Sequence, residues 1–232
     1  MTLYNILMTI DSDDNKFLQW QDIDTVLLDM DGTLLDLHFD NHFWLQHVPA
    51  CYAEKHGVTH DEAYQHVMNR SAETRSSLNW YCVDFWTREL SLDIGQLKHD
   101  MSEKIVIRPD VILFLSWLNK SDKRVVLVTN AHPVSMDLKM EKTQLHVHFD
   151  NIVNAHDIGM AKEHEGFWDK LQSYESYDKN KTMLIDDNME VLGCAHKYGI
   201  KYCYGITQPD SRGDAVKDAP FDTLDSFKEL LP

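Results

Sequence analysis

The sequence predicts a doubly wound parallel α/β sheet with an all-helical domain inserted after its first strand. Short apolar, β-rich runs alternate with helical patterns, as is typical of a parallel sheet covered by helices on both faces. About 95 residues separate the first run from the second, which is far more than one crossover helix needs. This excess predicts the insertion, and a length of 232 residues is sufficient for both parts.

Five apolar runs are the predicted strands, and polar residues follow the first four of them. Ligands of open α/β sheets bind beyond the carboxyl ends of the strands, so these polar ends define one candidate site. The predicted strands are Thr25–Leu28, Arg124–Val128, Asn151–Val153, Thr182–Ile185 and Tyr202–Tyr204. The polar residues that follow are Asp29 to Asp31, Thr129-Asn130, Asn154 and Asp186-Asp187.

The insertion has helical patterns throughout. We expect helices over residues 40–56, from residue 60 to about residue 76, and over residues 79–90. Thr59 and Glu62 have the spacing of a capping box, which predicts where the second of these helices begins. The resulting division of the chain is an N-terminal extension (1–20), a core (21–39 and 105–232) and a helical domain (40–104).

Composition excludes several classes of protein. The chain has 22 Lys and Arg against 38 Asp and Glu, a net charge of −16, whereas nucleic-acid binding depends on basic residues that contact phosphates. The most apolar stretch, Val111 to Leu118, is too short for a membrane span of about 20 residues. The N-terminus does not resemble a signal peptide, and four cysteines without a CxxC pair indicate a reducing compartment. We therefore expect a cytoplasmic protein that binds neither nucleic acid nor membranes.

The segment Asp29-Met30-Asp31-Gly32 carries the strongest chemical signal. Asp29 and Asp31 lie on the same side of the chain, and two carboxylates about 4 Å apart repel by about 4 kcal/mol at an effective dielectric constant of 20. Gly32 allows a sharp turn that leaves both acids at the mouth of a site. A turn without chemical function is the alternative for this segment alone.

With Thr33, this segment resembles the first motif (DxDGT) of the haloacid dehalogenase superfamily of phosphohydrolases. The other motifs of that superfamily follow in order as Thr129-Asn130, Lys162 and Asp186-Asp187. The resemblance implies a Rossmann-like core with a helical C1 cap. It also implies that Asp29 is the nucleophile that forms an aspartyl-phosphate, that Asp31 is the general acid and then base, and that Thr129, Asn130 and Lys162 bind the phosphoryl group.

The resemblance implies Mg²⁺ as the cofactor, held by Asp29, the backbone carbonyl of Asp31, and Asp187. Three carboxylates and a phosphate dianion bring a charge of about −5 into one pocket, of which one Mg²⁺ and one lysine offset about +3. Adjacent aspartates replace the commoner Gly-Asp-x-x-x-Asp pattern, because position 191 is a valine. This variant leaves open which aspartate contacts the metal; we favour Asp187, with Asp186 in support.

Longer segments resemble the bacterial GMP/IMP-preferring 5′-nucleotidases of this superfamily: residues 24–44, 78–86, 128–133, 185–188 and 198–211. The substrate implied is a small phosphate monoester, in particular a purine nucleoside monophosphate, and one aromatic ring of the insertion facing the cleft would suffice to stack on its base. A sugar-phosphate phosphatase or phosphomutase of the superfamily would have the same core residues. Asp31 argues against a dehalogenase, and a catalytically silent nucleotide-binding module would have lost Asp29, Asp31 or Lys162.

Overall fold

A computed structural model of the protein describes residues 20–75 and 77–232. The predicted N-terminal extension therefore lies outside the described residues, except for its last residue, Trp20. The Trp20 indole packs against Phe114 and Trp117 and donates a hydrogen bond of 2.7 Å to the carbonyl of Leu230. Trp20 is thus part of the folded core.

Within the described residues, six parallel strands form one sheet in the order β3-β2-β1-β4-β5-β6. All five predicted strands are present, which confirms the parallel α/β fold. The sixth strand was missed because a two-residue segment has no periodicity to detect. The strands are β1 (Thr25–Leu28), β2 (Arg124–Thr129), β3 (Asn151–Asn154), β4 (Thr182–Ile185), β5 (Tyr202–Ile206) and β6 (Thr223–Leu224).

Helices fill most of the remaining chain, and a π-helical turn, Phe43–His47, joins the first two without a break. They are α1 (His38–His42), α2 (Val48–His56), α3 (His60–Thr74), α4 (Leu78–Tyr81), α5 (Val83–Leu90), α6 (Ile94–Asp100), α7 (Val111–Leu118), α8 (Pro133–Thr143), α9 (Ala155–Ile158), α10 (Phe167–Leu171) and α11 (Met189–Tyr198). None of the helices in the described ranges is both long and apolar enough to cross a membrane.

The sheet is buried on both faces, as its apolar strands require. Successive side chains of a strand point to opposite faces, so Val26 and Leu28 belong to one core cluster and Leu27 to the other. Phe114 of α7 packs in the first cluster, and Trp168 of α10 packs in the second. This two-sided burial fixes β1 at the centre of the sheet, with its carboxyl end between those of β2 and β4.

Residues 38–104, called the helical insert below, form α1 to α6 and have a hydrophobic cluster of their own around Phe43 and Trp86. The predicted capping box is present at Thr59 and Glu62. The helix expected over residues 79–90 is divided at Cys82, whose backbone is extended. Asp93 caps α6, a helix that the sequence patterns did not predict. The division of the chain into domains at residues 40 and 104 stays a prediction.

Candidate active site

Three of the four polar strand ends predicted to form one site lie together, around a cleft of about 500 Å³. The fourth, Asn154, is not among the residues that line this cleft; its side chain caps α9 by accepting a hydrogen bond from the backbone N–H of His156. Strand β1 supplies the aspartates that follow it, β2 supplies Thr129 and Asn130, and β4 supplies Asp186 and Asp187. The loop between α9 and α10 adds Lys162. The residues predicted from the motifs that line this cleft are Asp29, Asp31, Thr129, Asn130, Lys162, Asp186 and Asp187.

Lys162 is the centre of a buried ion-pair network. Its Nζ atom lies 2.5 Å from Asp29 Oδ1 and 2.6 Å from Asp186 Oδ2, and it donates to the carbonyl of Val128 at 3.1 Å. The residue is only 2% exposed. Burial acts to lower the pKa of Lys162, but Asp186 and Asp29 outweigh this effect and hold that pKa above its usual value. The lysine is therefore a fixed positive charge between the two carboxylates.

Asp186 and Asp187 have different surroundings. One carboxylate oxygen of Asp186 pairs with Lys162, and the other accepts a 2.9 Å hydrogen bond from the backbone N–H of Asn188. Within the described parts of the chain, no hydrogen bond or ion pair reaches the Asp187 carboxylate. Burial, together with repulsion by Asp29 and Asp186, raises the pKa of Asp187 well above its usual value. The Asp187 carboxylate thus has no direct ion-pair partner among the described residues, and the charge of Lys162 offsets the repulsion only in part.

Carboxylate oxygens of Asp29, Asp186 and Asp187 lie within 4.8 Å of one another. Such a set of oxygen donors fits a hard divalent cation. A cation here would also relieve the repulsion among carboxylates that raises the pKa of Asp187. The residues present therefore meet the requirements of a metal site at this edge of the sheet.

The turn after β1 is shaped to admit Asp187. Gly32 has a φ angle of +86°, and a Cβ atom at this position would lie 2.4 Å from Asp187 Oδ2. The hydroxyl of Thr33 accepts a 3.0 Å hydrogen bond from the backbone N–H of Asp187. Glycine is thus required both by the left-handed backbone and by the close approach of the carboxylate.

Asp31 belongs to a second network, which the sequence patterns did not reveal. Lys139 Nζ lies 2.7 Å from Asp31 Oδ1 and 2.6 Å from Asp40 Oδ2, and Lys98 Nζ lies 2.8 Å from Asp40 Oδ1. Both lysines are buried. We call these four residues the acid–lysine chain. No motif marks positions 40, 98 and 139, and their contacts arise only when α1, α6 and α8 pack together.

Burial raises the pKa of Asp31 to about 6, although the neighbouring Lys139 acts in the opposite direction and Asp40 and Asp29 add repulsion. The Asp31 side chain is still 22% exposed and lines the cleft. A carboxyl group that changes protonation near neutral pH at a ligand-facing position is suited to acid–base chemistry.

Glu163 connects the core to the helical insert and was also not predicted. Its carboxylate accepts hydrogen bonds from Asn130 Nδ2 at 2.8 Å, from Asn188 Nδ2 at 3.1 Å and from the hydroxyl of Tyr81 in α4. The Asn130 amide oxygen accepts from the backbone N–H of Lys162 at 2.9 Å. The side chain of Asn130 is therefore held in one orientation beside the cleft.

The helical insert supplies an aromatic wall to the cleft, formed by Trp44, Trp80, Tyr81 and Trp86. Trp86 is 1% exposed, whereas Trp80 is 37% exposed. The Trp80 indole donates a 2.7 Å hydrogen bond to the hydroxyl of Ser71. Trp80 is thus an anchored ring with an accessible surface in the cleft. As expected, some of the aromatic residues of the insert pack internally and others line the site.

The sheet order, the acidic strand ends and the buried lysine define a Rossmann-like hydrolase with a helical insertion. The family model of the haloacid dehalogenase-like hydrolases matches residues 26–204, and the chain belongs to this family. The family expected from the motifs is therefore confirmed.

Three comparisons describe what the chain resembles. It is 40% identical over 215 residues to the GMP/IMP nucleotidase YrfG of Escherichia coli, covering 93% of this chain and 97% of that protein. It is 23% identical to the pyrimidine 5′-nucleotidase YjjG of the same organism, over 89% and 96% of the two chains. A HAD phosphatase from Thermococcus onnurineus has the same fold, with a TM-score of 0.73 and 22% identity over 90% and 96% of the chains. The predicted enzyme class, a hydrolase of the phosphatase type, is supported by these relatives.

Proposed function

We propose that the protein is a Mg²⁺-dependent phosphomonoesterase that converts purine nucleoside 5′-monophosphates, GMP or IMP, to nucleoside and phosphate. The observation that carries this proposal is one cleft with a carboxylate–lysine network at its base and an exposed tryptophan on its wall. Its volume of about 500 Å³ falls in the usual range for small-molecule sites, about 300–1,000 Å³. The name of the 40% identical relative supports the choice of purine substrates.

Asp29 is the proposed nucleophile. Lys162 holds Asp29 Oδ1, so Oδ2 is the oxygen available to attack phosphorus. The bond between phosphorus and the ester oxygen breaks, and Asp31 donates a proton to the leaving oxygen. Asp31 then takes a proton from water as that water attacks the aspartyl-phosphate, which releases phosphate and restores Asp29.

Lys162, Thr129 and Asn130 are the proposed phosphoryl ligands. Lys162 supplies positive charge, while the Thr129 hydroxyl and the Asn130 amide can donate hydrogen bonds without adding charge. The hydroxyl of Thr129 accepts a 3.0 Å hydrogen bond from the backbone N–H of Ala131, which leaves its proton free to donate into the cleft. These side chains bind the phosphoryl group whichever alcohol is attached to it.

We propose that Asp29, Asp187 and the backbone carbonyl of Asp31 hold the Mg²⁺. Asp186 has a supporting role, because Lys162 and the backbone N–H of Asn188 engage both of its oxygens. When bound, Mg²⁺ supplies positive charge that offsets the charge of the phosphoryl oxygens. The four free cysteines agree with the expected cytoplasmic location, which is part of this proposal.

Base recognition is assigned to Trp80. Stacking of a nucleobase on an aromatic side chain contributes about 1–3 kcal/mol, and the position of Trp80 on the insert separates it from the phosphoryl ligands. A purine has a larger stacking surface than a pyrimidine, which favours GMP and IMP. The core residues alone would equally serve a sugar-phosphate phosphatase or a phosphomutase, so the substrate must be tested directly.

The decisive experiment compares kcat/KM for GMP, IMP, UMP and a sugar phosphate, with the wild type and with Trp80→Ala. We expect GMP and IMP to be the best substrates. Trp80→Ala should lower kcat/KM for them by about 5-fold or more, given the stacking energy, and leave ribose 5-phosphate, which has no base, unchanged. A sugar phosphate preferred over GMP and IMP, or retention of the phosphoryl group on an isomerised product, would contradict the nucleotidase proposal.

A further inference from the structure

Cys82, His132 and His156 form a second cluster of metal-ligating side chains, separate from the acidic one. The Cys82 Sγ atom and imidazole nitrogens of the two histidines lie within 4.8 Å of one another. Cys82 lies between α4 and α5 in the helical insert, His132 precedes α8, and His156 lies in α9. Three distant segments therefore meet at the junction of the insert and the core.

Backbone groups hold the histidine rings of this cluster. His132 Nδ1 accepts a 3.4 Å hydrogen bond from the backbone N–H of Val134, so Nδ1 has the lone pair of the neutral ring, and Nε2 carries the proton and lies 3.7 Å from Asp84 Oδ2. In the described part of the chain, His156 Nε2 is buried and has no hydrogen-bond partner, while its ring interacts with the backbone of Asn130. This is the usual arrangement of a metal-bound histidine, in which one ring nitrogen faces the metal and the other is held by a backbone group.

The backbone also positions the sulfur atom of this cluster. Cys82 Sγ accepts a hydrogen bond from the backbone N–H of Phe85 at 3.4 Å, at the start of α5. The sulfur is therefore held beside the two histidines.

We propose that Cys82, His132 and His156 bind a divalent cation of the Zn²⁺ type. Sulfur and imidazole ligands select Zn²⁺ and related metals, whereas the all-oxygen cluster at Asp29 and Asp187 suits Mg²⁺. Asp84 Oδ2 lies 3.7 Å from His132 Nε2, where a carboxylate can orient the ring of a metal-bound histidine. Three protein ligands leave the fourth position of a tetrahedral zinc site open.

The position of this site gives it a structural consequence. Cys82 belongs to the helical insert, and His132 and His156 belong to the core, so a bound cation connects the insert to the core. His132 also lines the substrate cleft. The Zn²⁺-type site would therefore restrict movement of the insert at the edge of the cleft.

Titration with Co²⁺, a spectroscopic substitute for Zn²⁺, tests this proposal on the full-length protein. The protein is stripped with a chelator, dialysed, and titrated while excess Mg²⁺ occupies the carboxylate cluster. We expect one equivalent of Co²⁺ to bind with thiolate-to-cobalt charge-transfer absorption that Zn²⁺ abolishes by displacement. The readout needs no substrate, so its result is independent of the proposed phosphatase activity.

Variants locate the site. Cys82→Ser should remove the charge-transfer absorption, and His156→Gln should weaken Co²⁺ binding by about 10-fold or more. The matched controls Cys203→Ser, at a half-buried thiol elsewhere in the core, and His99→Gln, at an exposed histidine, should bind like the wild type. Circular dichroism establishes that each variant is folded. The proposal is overturned if the wild type shows no charge-transfer absorption, or if the absorption survives Cys82→Ser in full.

Discussion

Lys162 and Lys139 are both buried beside the cleft, and each pairs with two carboxylates, but the two networks connect different parts of the molecule. The partners of Lys162, Asp29 and Asp186, both follow central strands of the sheet. The partners of Lys139 are Asp31, at the end of β1, and Asp40, in the first helix of the insert. The first network is contained in the rigid edge of the sheet, whereas the second joins that edge to the helical insert.

The two networks therefore have different roles in the site. The Lys162 network fixes the charges around the proposed nucleophile and does not depend on the position of the insert. The acid–lysine chain makes the surroundings of the proposed general acid depend on the insert, through Asp40 and then Lys98. Lys98 is in turn packed against the rings of Phe39 and Phe43, so the insert contributes to the electrostatics of Asp31.

The largest expected effect is that of Asp29→Asn, which removes the proposed nucleophile and half of the Lys162 network. We expect kcat for GMP to fall by about 10⁴-fold or more, as for the loss of other covalent nucleophiles, while the circular dichroism spectrum stays native. Phosphate release measures the rate. Asp24→Asn, at an exposed aspartate paired with Lys181, is the matched control and should retain full activity. Activity of Asp29→Asn within tenfold of the wild type would contradict the covalent mechanism.

Lys162→Met should produce the largest loss of stability. It leaves the carboxylates of Asp29 and Asp186 buried without a partner, which typically costs about 3–5 kcal/mol. Urea unfolding measures the change in the free energy of unfolding. A decrease in the free energy of unfolding below about 1 kcal/mol would contradict the role of Lys162 as the charge that stabilises Asp29 and Asp186.

Lys139→Met should lower the free energy of unfolding less than Lys162→Met does, and should lower kcat through its effect on Asp31. Asp31 remains partly exposed and Asp40 keeps its pair with Lys98, so we expect a loss of about 1–3 kcal/mol. The variant removes the ion pair between Lys139 Nζ and Asp31 Oδ1, which fixes the position of the Asp31 carboxylate. We therefore expect kcat to fall by about 10–100-fold, part of the usual contribution of a general acid. Lys139→Arg, which keeps the charge, should recover more of kcat than Lys139→Met. Equal kcat values for the two variants would show that the charge of Lys139 does not act on Asp31.

Among these variants, Gly32→Ala should lower kcat the least, and its main effect should be weaker binding of Mg²⁺. The new Cβ atom would displace Asp187, 2.4 Å away, and so raise the Mg²⁺ concentration for half-maximal activity by about 10-fold. Gly57→Ala is the matched control, because Gly57 also has a positive φ angle but, in the described part of the chain, no atom beyond its own neighbours in sequence lies within 4 Å of its added Cβ. Both variants should lose about 1–2 kcal/mol from backbone strain. An unchanged Mg²⁺ requirement in Gly32→Ala, or activity that EDTA does not abolish, would argue against Asp187 as a metal ligand.

Prediction from sequence succeeded where short segments carry the signal. The five longer strands follow from apolar runs, the cleft residues from polar groups at their ends, and the family from ordered motifs. Prediction failed at the sixth strand, because that strand has only two residues. It also failed at the break in the helix at Cys82 and at α6, which begins at a single capping hydrogen bond to the Asp93 side chain. The sequence also did not predict the acid–lysine chain or the three hydrogen bonds to the Glu163 carboxylate, because the residues involved are far apart in the sequence.

The sequence by itself determined which chemical groups this protein brings to its sheet edge, since parallel strands place their carboxyl ends together whatever the details of packing. Only the tertiary structure decided how those groups are paired: Lys162 with Asp29 and Asp186, Lys139 with Asp31 and Asp40, and Asp187 without an ion-pair partner among the described residues. The physical reason is that ion pairing and desolvation depend on distances of a few ångströms between segments remote in sequence, and these distances are set by helix packing.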